Sequence, residues 1–154
     1  MRTILVVEDV DDDVFFLKRA LREAEIENPL QVVVDGRQAL DYLEGKKEYA
    51  DREKYPLPFF VLLDLKLPYV MGLDVLRWIR QRREFDGMLV VVLTSSQQDS
   101  DLAATHRLGG NSYLIKPPTR EKLTKLVESL GDLWPDKDPP GSSHSVNLVN
   151  LVIP

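Results

Sequence analysis

Five runs of apolar, mostly β-branched residues recur along the chain, and each has the length of a short strand. They read "TILVVE" at 3–8, "LQVVVD" at 30–35, "FFVLLD" at 59–64, "MLVVVL" at 88–93 and "SYLIK" at 112–116. The first, third and fourth runs are almost wholly apolar. This favours central parallel strands covered on both faces over a half-exposed antiparallel sheet.

Helical patterns lie between these runs, with apolar residues spaced by three and four positions. They predict helices over about 11–24, 38–43, 73–83 and 100–108, and a last helix after Thr119. The acids of "DVDDD" are expected to supply the N-cap and first-turn charges of the first helix, and Asp99 or Asp101 the cap of the fourth. Strands that alternate with helices in this way predict an α/β fold, a doubly wound five-stranded parallel sheet with helices on both faces.

Two segments do not fit this alternation of strands and helices. Residues 45–58, "GKKEYADREKYPLP", form a long polar connection, whereas most connections have about 4–6 residues. The sequence predicts one domain over 1–131 and a tail over 132–154, a Pro/Gly/Ser-rich linker followed by an apolar tip. The tip either packs against the domain or a second copy of it, or is a partly disordered end.

Composition excludes several classes of protein. The 154 residues are 44% hydrophobic and 29% charged, which is typical of a globular domain. No apolar run approaches the roughly 20 residues that span a bilayer, and acids follow the first apolar run, so we expect neither a membrane segment nor a signal peptide. The chain has no cysteine and a net charge of −5, which fits a cytoplasmic location and argues against direct nucleic-acid binding.

Polar side chains follow the predicted strands at their carboxyl ends. Glu8 and Asp9 follow the first strand, Asp64 ends the third, Thr94 follows the fourth and Lys116 ends the fifth. In an open parallel sheet the carboxyl ends of the strands meet at one edge, where ligands bind. Clustered carboxylates raise one another's pKa unless a cation neutralises them, and Mg²⁺ binds carboxylate, water and phosphate oxygens.

These residues resemble, as an ordered set, the receiver domains of two-component response regulators. The matching motifs are "VVEDV", "LLDLKLP", "MGLDVL", "LTSS" and "YLIKPPT", and the resemblance covers about 2–131. The long 45–58 connection with "LLDLKLP" is most similar to stand-alone regulators that partner phytochrome-type histidine kinases. The resemblance implies a flavodoxin-like sheet with strand order 2-1-3-4-5.

The resemblance also implies a role for each site residue. Asp64 would accept the phosphoryl group in a phosphorelay. Glu8, Asp9, Asp64 and the backbone carbonyl of Lys66 would bind Mg²⁺. Thr94 would donate to a phosphoryl oxygen, and Lys116 would pair with the phosphoryl group or with the acceptor carboxylate. Thr94 and Tyr113 would act as a switch, and Lys116–Pro117 would be a cis peptide bond.

Simpler interpretations remain open for several of these residues. The acids of "EDVDDD" could serve only the helix N-terminus, which we take as the whole role of Asp11 and Asp13, whereas Asp12 could touch the metal shell. Trp78 is expected to pack its helix, and His106 and His144 to be surface residues. A lone Asp64 could cap a loop, and Thr94 could be a solvated strand end.

An enzyme of similar architecture and a nucleotide-binding module are the main competing functions. A dehalogenase-like phosphatase uses an aspartate after its first strand with a second aspartate two residues on, whereas the candidate nucleophile here ends strand three and is followed by "LK". A nucleotide-binding module would need a Gly/Ser-rich phosphate loop where "VEDVDDD" stands, and these acids would repel a phosphate. A degenerate receiver that acts only as a docking module is the alternative left open. As a receiver the chain would not be an enzyme on a separate substrate.

The resemblance further predicts how the signal leaves the domain. A sensor histidine kinase would be the partner, and the 99–130 face would change on phosphorylation. The output would be a protein contact with a second copy, with a downstream phosphotransfer protein or with the kinase itself. Of these we expect a phosphorylation-dependent homodimer. Two residues depart from the family pattern, Lys66 and Met71. We expect Lys66 to affect the lifetime of the phosphorylated state and Met71 to affect only loop packing.

Overall fold

The computed structural model describes residues 2–95 and 98–134. Five strands alternate with five α-helices along the chain, and short 3₁₀ turns occupy Lys47–Ala50, Arg83–Phe85 and Gly131–Leu133. The strands are β1 Ile4–Val7, β2 Leu30–Val33, β3 Phe60–Asp64, β4 Leu89–Thr94 and β5 Ser112–Ile115. The helices are α1 Asp11–Glu23, α2 Gly36–Glu44, α3 Gly72–Arg80, α4 Asp99–Arg107 and α5 Arg120–Leu130.

The strands form one parallel sheet in the order β2-β1-β3-β4-β5. This confirms the predicted doubly wound, flavodoxin-like sheet. In the register, Val7 lies opposite Leu63 and Asp64 lies opposite Leu93. The carboxyl ends of β1, β3 and β4 therefore meet at one edge of the sheet.

Alternate residues of the central strands point to the two faces of the sheet, and each face has its own core. Leu5, Val61 and Val90 belong to a cluster with residues of α2 and α3, and Leu108 beside α4 packs against it. Val6, Leu62 and Val91 belong to a cluster with residues of α1 and α5. Because both faces are covered, the strands read as continuous apolar runs rather than as alternating ones.

Helix boundaries follow capping groups only in part. Asp35 accepts a hydrogen bond from the Gln38 backbone N–H (2.7 Å), so α2 begins at Gly36, two residues before the predicted start. Thr119 caps α5 in the same way. The acids expected to cap α1 and α4 do not occupy those positions: the N-caps are Val10 and Gln98, neither with a side-chain cap.

The long connection after α2 is packed against the domain. Arg52 donates hydrogen bonds to the carbonyl oxygens of Tyr42 (2.8 Å) and Leu43 (2.9 Å) at the end of α2. The Tyr42 hydroxyl donates to the carbonyl oxygen of Pro56 (2.8 Å), and the rings of Tyr42, Tyr49 and Tyr55 contact one another. The segment predicted as a polar connection thus contributes two rings to an aromatic cluster that it shares with α2.

The domain continues slightly beyond the predicted boundary at residue 131. Trp134 is buried, and its ring centroid lies 5.1 Å from those of Phe59 and Phe60. The start of the predicted tail therefore packs on the core. Residues 135–154, with the apolar tip and His144, lie outside the described part.

Within the described ranges, every helix is too short or too polar to span a bilayer.

Candidate functional site

Three carboxylates meet where β1 and β3 end. Glu8 and Asp64 are buried and Asp9 is exposed. One carboxylate oxygen from each lies within 4.8 Å of the others. The cluster follows from the register, since Val7 opposite Leu63 puts Glu8 beside Asp64.

The donor set suits a hard divalent cation. All three donors are carboxylate oxygens, which suit Mg²⁺, Ca²⁺ or Mn²⁺ better than metals that prefer nitrogen or sulfur. The exposed Asp9 leaves one side of the cluster open to water. Lys66, whose carbonyl is a predicted further ligand, donates its backbone N–H to Asp64 Oδ1 (3.3 Å), and its side chain is exposed.

Lys116 places a positive charge among the acids from the end of β5. Its Nζ lies 2.6 Å from Glu8 Oε1, 2.9 Å from Asp13 Oδ2 and 3.5 Å from Asp64 Oδ2. Its backbone N–H donates to the carbonyl oxygen of Thr94 (2.7 Å), and the Lys116–Pro117 peptide bond is cis. The structure thus brings together residues that lie more than a hundred positions apart in the sequence.

The electrostatics of the cluster follow from this crowding. Burial raises the pKa of the Glu8 carboxyl above its ordinary value, and the neighbouring Asp64 raises it further, while Lys116 opposes both effects. Burial acts to lower the pKa of the Lys116 ammonium, but hydrogen bonds to Glu8 and Asp13 and the charge of Asp64 outweigh it, so the pKa is raised. Lys116 therefore stays cationic at neutral pH.

Thr94 and Tyr113 lie on the neighbouring strands. Thr94, the last residue of β4, is buried and lies opposite Ile115. Tyr113 is half-buried on β5 and packs against the core on the α2–α3 face. Beside it is a cavity of about 260 Å³ between α4 and β5, lined by Leu102, Thr105, His106, Gly110, Asn111, Ser112 and Tyr113.

Asp13 is the residue that the sequence interpretation missed. The sequence predicts a role at the helix N-terminus alone, whereas in the structure Asp13 forms an ion pair with Lys116. Asp11 and Asp12 in the same turn are exposed. The sequence carried no signal for this difference, because first-turn acids are common and the partner is distant in the chain.

Trp78 packs on its helix and His106 lies at the surface, as predicted. Trp78 is half-buried, its ring packs 5.9 Å from that of Phe85, and Arg82 lies over it at 4.2 Å. His106 is exposed on α4. Both lie on helices rather than in the carboxylate cluster.

Comparison with known proteins gives a consistent result. Residues 4–128 match the response regulator receiver domain family. The response regulator Rcp1 of Synechocystis sp. is 35% identical over 133 residues, which cover 86% of this chain and 88% of Rcp1. The crystal structure of its Mn²⁺-bound form has a TM-score of 0.72, with 33% identity and coverage of 90% of this chain and 98% of that one.

Two further solved structures are similar over nearly the whole chain. RPA3017, a response regulator in red light signalling of R. palustris, has a TM-score of 0.77 and 33% identity, covering 93% of this chain and 100% of its own. The phosphorylated cyanobacterial phytochrome response regulator RcpA has a TM-score of 0.73 and 29% identity, covering 92% and 99%. With its sheet order and strand-end carboxylates, this chain belongs to the response regulator receiver domain family.

Proposed function

We propose that this protein is a single-domain response regulator that accepts a phosphoryl group on Asp64 from a sensor histidine kinase in a Mg²⁺-dependent reaction. The observation that supports this best is the site itself. Oxygens of Glu8, Asp9 and Asp64 lie within 4.8 Å of one another, and the Lys116 ammonium lies 3.5 Å from Asp64.

The chemistry fits the groups at hand. A carboxylate oxygen of Asp64 attacks phosphorus, the bond from phosphorus to the imidazole nitrogen of the donor phosphohistidine breaks, and the imidazole leaves with the electron pair. Such a transfer depends mainly on positioning and on charge stabilisation. Glu8, Asp9, Asp64 and the Lys66 carbonyl would hold Mg²⁺, which when bound neutralises charge on the phosphoryl oxygens. Thr94 and Lys116 would donate hydrogen bonds to those oxygens.

Two relatives support a proposal for the partner. RPA3017 acts in red light signalling, and RcpA is a phytochrome response regulator. We therefore propose a phytochrome-type histidine kinase as the phosphoryl donor in the cell. A cytoplasmic location, where such kinases present their phosphohistidine, stays a prediction.

The output would be a protein contact controlled by Thr94 and Tyr113. Charge added at Asp64 would draw the Thr94 hydroxyl towards the phosphoryl group, and the ring of Tyr113 would turn inward. The cavity of about 260 Å³ beside Tyr113 offers space for such a change. A homodimer through the 99–130 face is the output we expect. Sedimentation with and without acetyl phosphate tests it, and a monomer in both conditions would exclude it.

The experiment that tests the phosphoacceptor is labelling by ³²P acetyl phosphate. We expect Mg²⁺-dependent label on the wild-type protein and none on Asp64→Asn. Asp74→Asn, which removes an exposed aspartate paired with Arg77 on α3, should label like the wild type. Label that persists in Asp64→Asn would overturn the assignment, and an unlabelled wild-type protein that still binds its kinase would favour the alternative, a docking module independent of phosphorylation.

A further inference from the structure

The surroundings of Lys116 are unequal in a way that bears on phosphoryl transfer. Among the residues that the structure describes, its ammonium forms ion pairs with three carboxylates, and the distances rise from Glu8 (2.6 Å) through Asp13 (2.9 Å) to Asp64 (3.5 Å). The proposed nucleophile is thus the acid that the ammonium holds least closely.

The number of N–H donors on the Lys116 ammonium limits how many carboxylates it can bind closely. An ammonium has three N–H donors and no acceptor. Glu8 and Asp13 each take one donor at short distance, so one donor remains on the side of Asp64. The distance of 3.5 Å between Lys116 Nζ and Asp64 Oδ2 is at the limit of a hydrogen bond.

Asp13 approaches from a different element than the other two acids. Glu8 and Asp64 end neighbouring strands, whereas Asp13 lies in the first turn of α1. Its side chain is 35% exposed, against 0% for Glu8 and 9% for Asp64. A second fixed contact from α1 therefore restrains a side chain that the strand ends alone would leave free to move towards Asp64.

We propose that Asp13 is a positioning residue for phosphoryl transfer, which holds the Lys116 ammonium away from the Asp64 carboxylate and where it can receive a phosphoryl oxygen. The inference rests on the function proposed above. Asp13 does not touch the reacting atoms and acts through Lys116.

The charge changes during transfer show what this positioning achieves. When an Asp64 oxygen bonds to phosphorus, the bond from phosphorus to the acetate oxygen of acetyl phosphate breaks and acetate leaves with the electron pair. The Asp64 carboxyl thereby loses its negative charge, and the charge that remains at this position is the one that the transferred phosphoryl oxygens bring with them. A lysine already bonded to the carboxylate would weaken the nucleophile and occupy space that the phosphoryl group needs. A lysine held back can keep its bonds to Glu8 and Asp13 and use its third donor for the new oxygen.

The labelling rate after loss of the Asp13 charge distinguishes a positioning role from a simple effect of net charge, because the two predict changes in opposite directions. Removing a negative charge beside the site should speed reaction with an anionic donor. Loss of positioning should slow it. Asp11→Asn is the matched control, since it removes the same charge from the same helical turn at a residue that is exposed.

The experiment compares the rate constant of labelling by ³²P acetyl phosphate at saturating Mg²⁺ in wild type, Asp13→Asn, Asp13→Glu and Asp11→Asn. We expect Asp13→Asn to be about tenfold slower, on the scale of one lost hydrogen bond between charged groups. Asp13→Glu should recover part of the rate, and Asp11→Asn should equal or exceed the wild type. The Mg²⁺ dissociation constant, measured by calorimetry, should change by less than about threefold in Asp13→Asn, because Asp13 is outside the group of carboxylates that could hold the ion, Glu8, Asp9 and Asp64.

The outcomes test the positioning role of Asp13 separately from the proposed function of the protein. A rate for Asp13→Asn equal to or above that of the wild type overturns the positioning role, as does a slow rate accompanied by a large loss of Mg²⁺ affinity. If the Asn variant does not fold, Asp13→Glu, which keeps the charge, must be slower than Asp11→Asn. Absence of label on the wild-type protein would instead overturn the proposed function itself.

Discussion

Gly72, the first residue of α3, lies directly against the backbone of Asp64, the last residue of β3. A Cβ atom added at Gly72 would overlap the Asp64 carbonyl oxygen and approach the Leu65 Cα to 2.9 Å. The Gly72 N–H also donates to the carbonyl oxygen of Leu65 (3.1 Å). This contact closes the loop after β3 and fixes the backbone that carries the predicted phosphoacceptor.

Gly72→Ala should therefore destabilise the protein by about 2–4 kcal/mol, because backbone atoms rather than a flexible side chain must move to admit the methyl group. Gly87→Ala is the matched control, since a Cβ there meets nothing within 4 Å. It should change stability by no more than about 0.5–1 kcal/mol. Urea unfolding of both variants measures the difference, and equal midpoints would show that the loop adapts freely.

Lys66→Asn should shorten the lifetime of the phosphorylated protein. Lys66 is exposed two residues after Asp64, and its backbone already donates to Asp64 Oδ1 at 3.3 Å. An ammonium beside the acyl phosphate would hinder the attacking water, whereas the shorter, neutral asparagine would not. The decay of ³²P-labelled protein after removal of acetyl phosphate measures the effect, with Lys66→Arg as the variant that keeps the charge. Identical decay rates in wild type and Lys66→Asn would remove this role.

Mg²⁺ should stabilise the wild-type protein against heat, because a cation relieves repulsion among Glu8, Asp9 and Asp64. Ligand at a hundredfold excess over its dissociation constant contributes about 2.7 kcal/mol, or about 5–10 °C in Tm for a chain of this size. Asp9→Asn should lose most of this shift, and Asp86→Asn, an exposed acid before β4, should keep it. Calorimetric scans with Mg²⁺ and with a chelator provide the test. Equal shifts in the two variants would place the ion elsewhere.

Stability should fall at alkaline pH through Tyr42. Burial raises the pKa of its hydroxyl from 10.0 to about 12, so the folded state holds this proton more tightly than the unfolded state does. The contribution is complete below pH 10 and is lost as the pH rises to about 12, an effect of about 2 kcal/mol. Tyr42→Phe should remove this loss, whereas Tyr69→Phe, at a ring that is 89% exposed, should not. Urea unfolding at pH 8 and pH 11 compares them, and an unchanged pH dependence in Tyr42→Phe would contradict the assignment.

The fold was predictable because each central strand is buried on both faces and each helix has one apolar stripe. The predicted strand boundaries lie within two residues of those in the structure. The strand order of the sheet was predicted from the family resemblance. The packing of residues 45–58 was not predicted. Tyr49 and Tyr55 are single aromatic residues among charges, and their burial depends on Tyr42 and Arg52 rather than on a repeating pattern.

The positions of Asp9, Asp64, Thr94 and Lys116 were predictable because each follows an apolar run, and parallel strands bring such ends to one edge. Their roles remain predictions until they are measured. The pairing of Asp13 with Lys116 is not predictable in the same way, because it depends on the first turn of α1 meeting a residue that follows β5, which no local pattern encodes. Trp134 was assigned to the tail for a similar reason, since only the packed Phe59 and Phe60 reveal it as core.

The ion pair between Glu8 and Lys116 joins residues 108 positions apart. During synthesis, β1 leaves the ribosome with its acids long before β5 brings the balancing cation. A nascent chain that stops short of residue 116 has the carboxylates but not the ammonium that pairs with them. The pocket can therefore be complete only when nearly the whole domain has been translated.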